Sequence, residues 1–457
     1  MASGTTFASS AESLAELQTP PVSSRTALRP WSFVICFGLV SLFADMVYEG
    51  ARSVIGPYLA TLGASAALVG AVAGVGEFIG YGLRVASGYL VQRRGHYWTW
   101  TITGYALTVL SVPLIGSTGV IAPALLLYGT ERLGKAVRSP AKDTLLSHAS
   151  TQTGRGTAFG VHQAMDQTGA MAGPLLLAAV LWQYAGNYRL AFGVLIVPGV
   201  IVLALLFWLR YRVPDPAAYE VGVSIPHSTD PSETRRAGKP ALPGAETVRP
   251  WLLTPPVPEQ TSPGRPELAR VRASLPSLVW QYIGVVALLS LGIASFPLLA
   301  YHAQTTGLLT PVQVPLLFAL AMGVDGLSGL LMGRFYDRRG PTVLLLVPFA
   351  AGLSAMAFTD SATLVWAGVA IWGLVNGVLD STVKAVVTEL VEPAGRSIAF
   401  GWLALARGLG LLVAGVGLGV AYDQSIMLVI WLMAVINVVA LIALSRVLSR
   451  MSVRASV

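Results

Sequence analysis

Twelve apolar runs, each near the roughly 20 residues that carry a helix across a bilayer core, constrain this chain more than any other feature. They lie at Trp31–Gly56, Ala66–Val91, Tyr97–Gly116, Val120–Leu146, Thr157–Tyr184 and Tyr188–Leu209, then Leu275–Ala300, Val312–Phe335, Val343–Phe358, Ala362–Leu390, Ile398–Ala421 and Ile426–Leu448. Hydrocarbon offers no partner to a backbone N–H or C=O, so runs of this kind form helices that satisfy themselves. Only 11% of the residues are charged, against about 25% in a soluble protein. The expected fold class is all-α polytopic membrane protein, with twelve transmembrane helices as two six-helix halves.

The breaks between the runs set the organisation. Residues 1–29 are polar and Ser/Thr/Ala-rich and are expected to be a disordered cytoplasmic tail, with no removable signal peptide. Residues 30–209 form the first half. Residues 210–272, rich in Pro, Ser and charge, cannot bury enough apolar surface to fold and read as a linker. Residues 273–449 form the second half and 450–457 a short tail. Basic residues gather in alternate connections: Arg93 and Arg94, Arg155, the linker, then Arg338, Arg339 and Arg396. By the positive-inside rule those connections and both termini are cytoplasmic, and the chain is integral to the cell (inner) membrane. The net charge of +8 is thereby explained without nucleic acid. The single Cys36 allows no internal disulfide.

The halves resemble each other. Gly88-Tyr-Leu-Val-Gln92-Arg93-Arg94-Gly95 matches Gly333-Arg-Phe-Tyr-Asp337-Arg338-Arg339-Gly340, and Gly154-Arg155-Gly-Thr-Ala-Phe159-Gly160 matches Gly395-Arg396-Ser-Ile-Ala-Phe400-Gly401. A duplicated six-helix unit follows, as in one large class of secondary transporters. The G-x-x-x-D-R-x-G loop resembles the signature of the major facilitator superfamily; the second copy is intact, and the first carries Gln92 in place of Asp. Gly169-Ala-Met-Ala-Gly173-Pro174 resembles the antiporter motif of the drug–proton exchangers in that superfamily, without the Gly pair that usually follows. Arg132 falls where those exchangers carry an intramembrane Arg tied to proton transfer, although Lys135 and Ala136 replace the usual Gln and Gly. The resemblance implies alternating access, with the Gly-rich spans two, five, eight and eleven crossing between the halves.

Charges at membrane depth are costly and mark packing pairs or pathways. In span four Glu131, Lys135, Arg138 and Lys142 recur at i, i+4, i+7 and i+11, on one face. Asp166 lies roughly 15 Å along span five at about 1.5 Å per residue, with His162 one turn before it. The repeat places Arg407 at the position equivalent to Asp166, so the two are candidates for a switchable pair. Asp45, Glu49 and Arg52 share a face of span one. Glu77 and Asp325 sit among glycines in spans two and eight. The plain alternatives are a Glu131–Lys135 pair that pins helix packing, Asp166 as a fixed counter-ion holding an Arg, and a Glu49–Arg52 pair that only orients its helix; packing alone explains the glycines around Glu77 and Asp325 but not the two acids. Trp98, Trp100, Trp182, Tyr184, Trp208 and Tyr211 read as interfacial belts. Tyr48, Tyr81, Tyr105 and Tyr128 lie deeper, as cavity lining or as packing.

No nucleotide-binding loop, zinc-ligand spacing or nucleophile elbow occurs, so neither an enzyme nor a cofactor or metal is expected. The reading is a monomeric secondary transporter that exports a small organic compound in exchange for protons. Asp166, Asp45 and Glu77 would exchange protons or cationic substrate, and Arg132 and Arg407 would respond. A second reading keeps the fold and moves an anionic solute along Lys135, Arg138 and Lys142. A third is a non-transporting sensor or scaffold acting through the linker.

Overall fold

A computed structural model describes residues 28–153, 155–216, 219, 275–392 and 395–455. The expected N-terminal tail and most of the expected linker lie outside these residues. In the first half α1 (Pro30–Thr61), α2 (Ala66–Arg94), α3 (Tyr97–Ile115), α4 (Ile121–Thr153) and α5 (Arg155–Gln183) are followed by α6 (Tyr188–Val194) and α7 (Ile196–Arg212), which together make one crossing. In the second half α8 (Ser277–Leu291) and α9 (Phe296–Thr305) make one crossing, followed by α10 (Gln313–Arg339), α11 (Leu346–Ser354), α12 (Ala362–Leu390), α13 (Arg396–Gln424) and α14 (Ile426–Ala455). No strand occurs among the described residues.

Ten of these segments are long and apolar enough to cross a membrane. One of them, Gln313–Phe358, has 46 residues. At 1.5 Å per residue it would measure roughly 70 Å as one helix, over twice a bilayer core. It turns instead at Gly340 and so holds both expected spans eight and nine. The charged α4 falls short on apolarity alone. The architecture is consistent with twelve crossings. Each half has its own apolar core, around Phe33, Phe37, Val54 and Phe192 in the first and Phe296, Phe318, Trp372 and Val383 in the second.

The loop motifs have a backbone cause. Gly95 and Gly340 each end a helix at φ +63°, and each N–H closes on the carbonyl four residues back, Val91 and Tyr336. Only Gly adopts that conformation at no steric cost. The break between α8 and α9 frees carbonyls that hydrocarbon would leave unpaired. Asn437 Nδ2 donates to Gly292 O at 2.9 Å and Trp372 Nε1 to Ala294 O at 2.8 Å. Trp98 corrects the belt reading: it is buried, stacks edge-on to Phe33 and Phe37, and donates its Nε1–H to Val213 O at 3.1 Å. Trp182, Tyr184, Trp208 and Tyr211 are exposed, as belt residues are.

The halves meet along α2–α13, α5–α10 and α1–α9. The α1–α2, α3–α4, α5–α6, α9–α10, α11–α12 and α13–α14 connections form one end of the bundle, the loop end; the described termini form the other. At the loop end α2 and α13 approach backbone to backbone, since a Cβ on Gly415 would lie 2.9 Å from Gly74 Cα and one on Gly70 3.1 Å from Gly419 Cα. Small residues allow this approach. Asp423, at the end of α13, then receives the N–H groups of Ala66 and Ala67 on its two carboxylate oxygens, both at 3.0 Å. A carboxylate from one half thus caps a helix of the other, satisfying donors that a helix start leaves orphaned. Losing a cap costs about 1 kcal/mol. Asp423→Ala is expected to lower the unfolding midpoint of the detergent-purified protein, and Asp423→Asn, which keeps one acceptor oxygen, to fall between the two.

Candidate functional site

Ion pairs occupy the middle of α4, from Glu131 to Lys142, and tie it to its neighbours. Near the loop end Glu131 Oε2 lies 2.7 Å from Arg132 Nε, and both side chains are almost fully buried. Arg132 Nη1 also reaches Glu77 Oε1 of α2 at 3.5 Å, and Arg52 Nη2 of α1 reaches the same oxygen at 3.1 Å. Arg52 returns to Glu49 at 3.6 Å, and Glu49 meets Lys135 at 4.0 Å. Three carboxylates and three cations on α1, α2 and α4 therefore form one neutral, contiguous network. Helical spacing alone favours a Glu131–Lys135 pair, but the structure couples Glu131 to Arg132 and Lys135 to Glu49.

A second cluster lies about three helical turns, or roughly 16 Å, further along α4. Lys142 Nζ sits 3.8 Å from Asp166 Oδ2 and donates to His162 Nε2 at 3.1 Å. The same His162 nitrogen is 3.6 Å from Asp166 Oδ1 and 3.1 Å from Ser41 Oγ, and Ser41 Oγ is 3.4 Å from Tyr105 Oη. Because ammonium only donates, His162 Nε2 accepts here and its proton is on Nδ1. Asp45, on α1, is within electrostatic range of Asp166, Lys142, Glu49 and Lys135. Arg138, between the clusters, donates to Thr108 Oγ1 at 2.6 Å and lies over the rings of Tyr48 and Tyr105. No carboxylate pairs with it among the described residues.

The deep tyrosines share one role: each offers its ring face to a membrane-embedded cation. Lys135 lies over Tyr48, Arg132 over Tyr128, and both Arg84 and Arg407 over Tyr81. Such contacts are worth about 2 kcal/mol or more when desolvated. Only the last crosses between halves.

Asp166 and Arg407 do not pair, which corrects the expectation drawn from the repeat. Arg407 Nη1 instead bonds Asp380 Oδ1 of α12 at 2.6 Å. Asp166 faces α4 in its own half, where Lys142 already neutralises it. The carboxyl side chain of Asp380 is 57% exposed although it lies inside a membrane helix, and Lys384, one turn on, is exposed as well. Charges do not face hydrocarbon at that depth, so they line a wet cavity. Asp325 of α10 receives a hydrogen bond from Gln167 Nε2 of α5 at 3.2 Å, across the halves.

Gly169 and Gly173 pack against α1, where side chains would collide with the Leu42 and Met46 carbonyls; Pro174 follows within α5. Gly88, Arg93, Arg94, Gly333, Asp337, Arg338 and Arg339 lie towards the end carrying the termini, and Gly88 faces Pro140 of α4, two residues before Lys142. Lys142 stood in the α4 stripe without a partner assigned to it, and Asp380, Gln167, Ser41 and Asp423 were missed as partners. Their partners lie on other helices, and no local pattern points to them. Removing one member of a buried ion pair costs about 3–5 kcal/mol, while removing both costs far less. Arg132→Met is therefore expected to destabilise the protein severely in thermal unfolding, and Glu131→Gln/Arg132→Met to recover most of the loss.

The profile described as Major Facilitator Superfamily matches residues 39–415. An uncharacterized protein of Mycobacterium tuberculosis is 42% identical over 423 residues, 92% of this chain and 94% of that one. An uncharacterized MFS-type transporter of Methanocaldococcus jannaschii is 26% identical over 204 residues, 44% of this chain and half of that one. Among solved structures, nucleoside transporter NupG superposes with a TM-score of 0.65 at 11% identity, covering 91% of this chain and 98% of its own. A bacterial homolog of the human lysosomal transporter Spinster, inward-facing and unoccupied, gives 0.62 at 14% identity, with 92% and 95% covered. At those identities the structures speak for the fold alone. With its matched profile, its many membrane-crossing helices and its charged interior, the chain is a membrane-embedded transporter of the Major Facilitator Superfamily.

Proposed function

We propose that the chain couples export of a small organic compound to entry of protons, working as a monomer by alternating access in the inner membrane with both termini cytoplasmic. The observation that carries this reading is the Lys142–His162–Asp166 cluster. His162 Nε2 accepts from Lys142 in the present arrangement. A proton arriving on that nitrogen would turn it into a donor facing Asp166 and Ser41, and would repel Lys142. One proton thus changes which of four side chains hold each other: Lys142 on α4, His162 and Asp166 on α5 and Ser41 on α1. That is the response a coupling site needs, and His is suited to it near neutral pH. Asp45 adds a nearby carboxylate without an ion-pair partner among the described residues.

Export, rather than uptake, is favoured by the Gly169–Pro174 run, which resembles the antiporter motif. The close α2–α13 packing at the loop end and the exposed Asp380 and Lys384 support a cavity open towards the cytoplasm, where the compound would enter. A second reading, proton-linked movement of an anion, is favoured by Arg138, the buried cation on α4 that has only Thr108 and two ring faces.

The test uses purified protein in liposomes with an acidic interior and a trapped pH dye. Cationic, neutral and anionic compounds are added outside. Proton release that needs a compound, and that falls at least tenfold in Asp166→Asn, is the expected result. A gradient untouched by every compound overturns proton antiport. A response to anions alone, lost in Arg138→Met, moves the assignment to the second reading.

A further inference from the structure

Five membrane-embedded carboxylates, Glu49, Glu77, Glu131, Asp166 and Asp380, each have a cationic group within 4.0 Å. Asp325 does not, among the described residues. One of its oxygens, Oδ2, receives the Gln167 amide at 3.2 Å; the other, Oδ1, is buried with no hydrogen-bond partner. The charged groups facing it are Asp380 of α12, Glu49 of α1 and Arg407 of α13, and Arg407 is already bound to Asp380 at 2.6 Å. Asp45 also lacks an ion pair, but it is packed within the first half. Asp325 stands at the contact between the halves.

At the centre of the α5–α10 contact is the Gln167 side chain. The Gln167 amide reaches from α5 into α10, giving one N–H to Met322 O at 2.6 Å and the other to Asp325. Gly326 makes room for it, since a Cβ there would lie 2.7 Å from Gln167 Cγ. Met171, one turn along α5, covers Gly323. Towards the end carrying the termini the arrangement differs: Gly160 and Gly333 have open space where a Cβ would project, and Gln163 is exposed.

We infer that Asp325 is the acid whose protonation releases α5 from α10, with Gln167 transmitting its charge state to the contact between the halves. A hydrogen bond to a carboxylate is roughly twice as strong as one between neutral groups. A proton taken from cavity water onto Asp325 replaces the charged acceptor with a neutral one, so the grip of Gln167 weakens. The α5–α10 contact then yields at the loop end, and the side carrying the termini closes. This inference rests on proton coupling and adds to it the residue that links the proton to the movement of the halves.

The test places a single thiol at Gln163, one turn before Gln167 on the same face of α5, in a Cys36→Ser background. Its reaction with a water-soluble maleimide is measured in detergent at pH 6 and pH 8, normalised at each pH to the same protein unfolded in dodecyl sulfate. The parent is expected to react at least threefold faster at pH 8 than at pH 6. Asp325→Asn is expected to react slowly at both, and Gln167→Leu to lose the pH difference without changing any titratable group. A pH ratio retained in Asp325→Asn overturns the inference, as does a parent with no pH ratio. The dye assay separates the two ideas: compound-dependent proton release alongside either of those results leaves proton coupling standing and removes only the role of Asp325.

Discussion

The cost of a charge in hydrocarbon organises this molecule. An ion moved from water into a low-dielectric interior loses several kcal/mol even after relaxation, and α4 alone carries Glu131, Arg132, Lys135, Arg138 and Lys142 through the bundle. The first half is arranged to offset that cost. α1 supplies Glu49 and Arg52, α2 supplies Glu77, α5 supplies Asp166 and His162, and tyrosine ring faces close over Arg132, Lys135 and Arg138. α4 can cross the membrane because its neighbours carry its counter-ions. The pairs therefore stabilise the fold and also bring the titratable groups together.

Movement depends on the opposite kind of contact. Where the halves meet, charges give way to small residues and a few polar side chains: the Gly70–Gly415 approach, Asp423 on the start of α2, and Gln167 in α10. Close backbone packing is sensitive to small displacements, and a cap or an amide hydrogen bond can be made and lost for about 1–3 kcal/mol. Ion pairs of that number across the halves would hold one state too firmly. Arg407 makes the distinction visible: its strong bond goes to Asp380 in its own half, and the ring face of Tyr81 engages it from the other.

Apolar runs, basic loops and the internal repeat are local properties of the chain, and they determined the helices, their approximate ends, the division into halves and the all-α class. Gly95 and Gly340 were legible for the same reason, since a positive φ is demanded by the turn in which each residue sits. Asp45, Glu77, Asp166 and Asp325 could be picked out because a charge inside an apolar run is conspicuous whatever surrounds it. Only the tertiary structure decided who pairs with whom. The repeat pointed Asp166 towards Arg407, yet equivalent positions in two halves are related by symmetry, which does not bring them into contact. Helical spacing pointed Glu131 towards Lys135, yet α1 and α2 bring Glu49 and Glu77 close enough to rearrange the set. Pairing falls off within a few ångströms, and which side chains come that close is set by helices far apart in sequence.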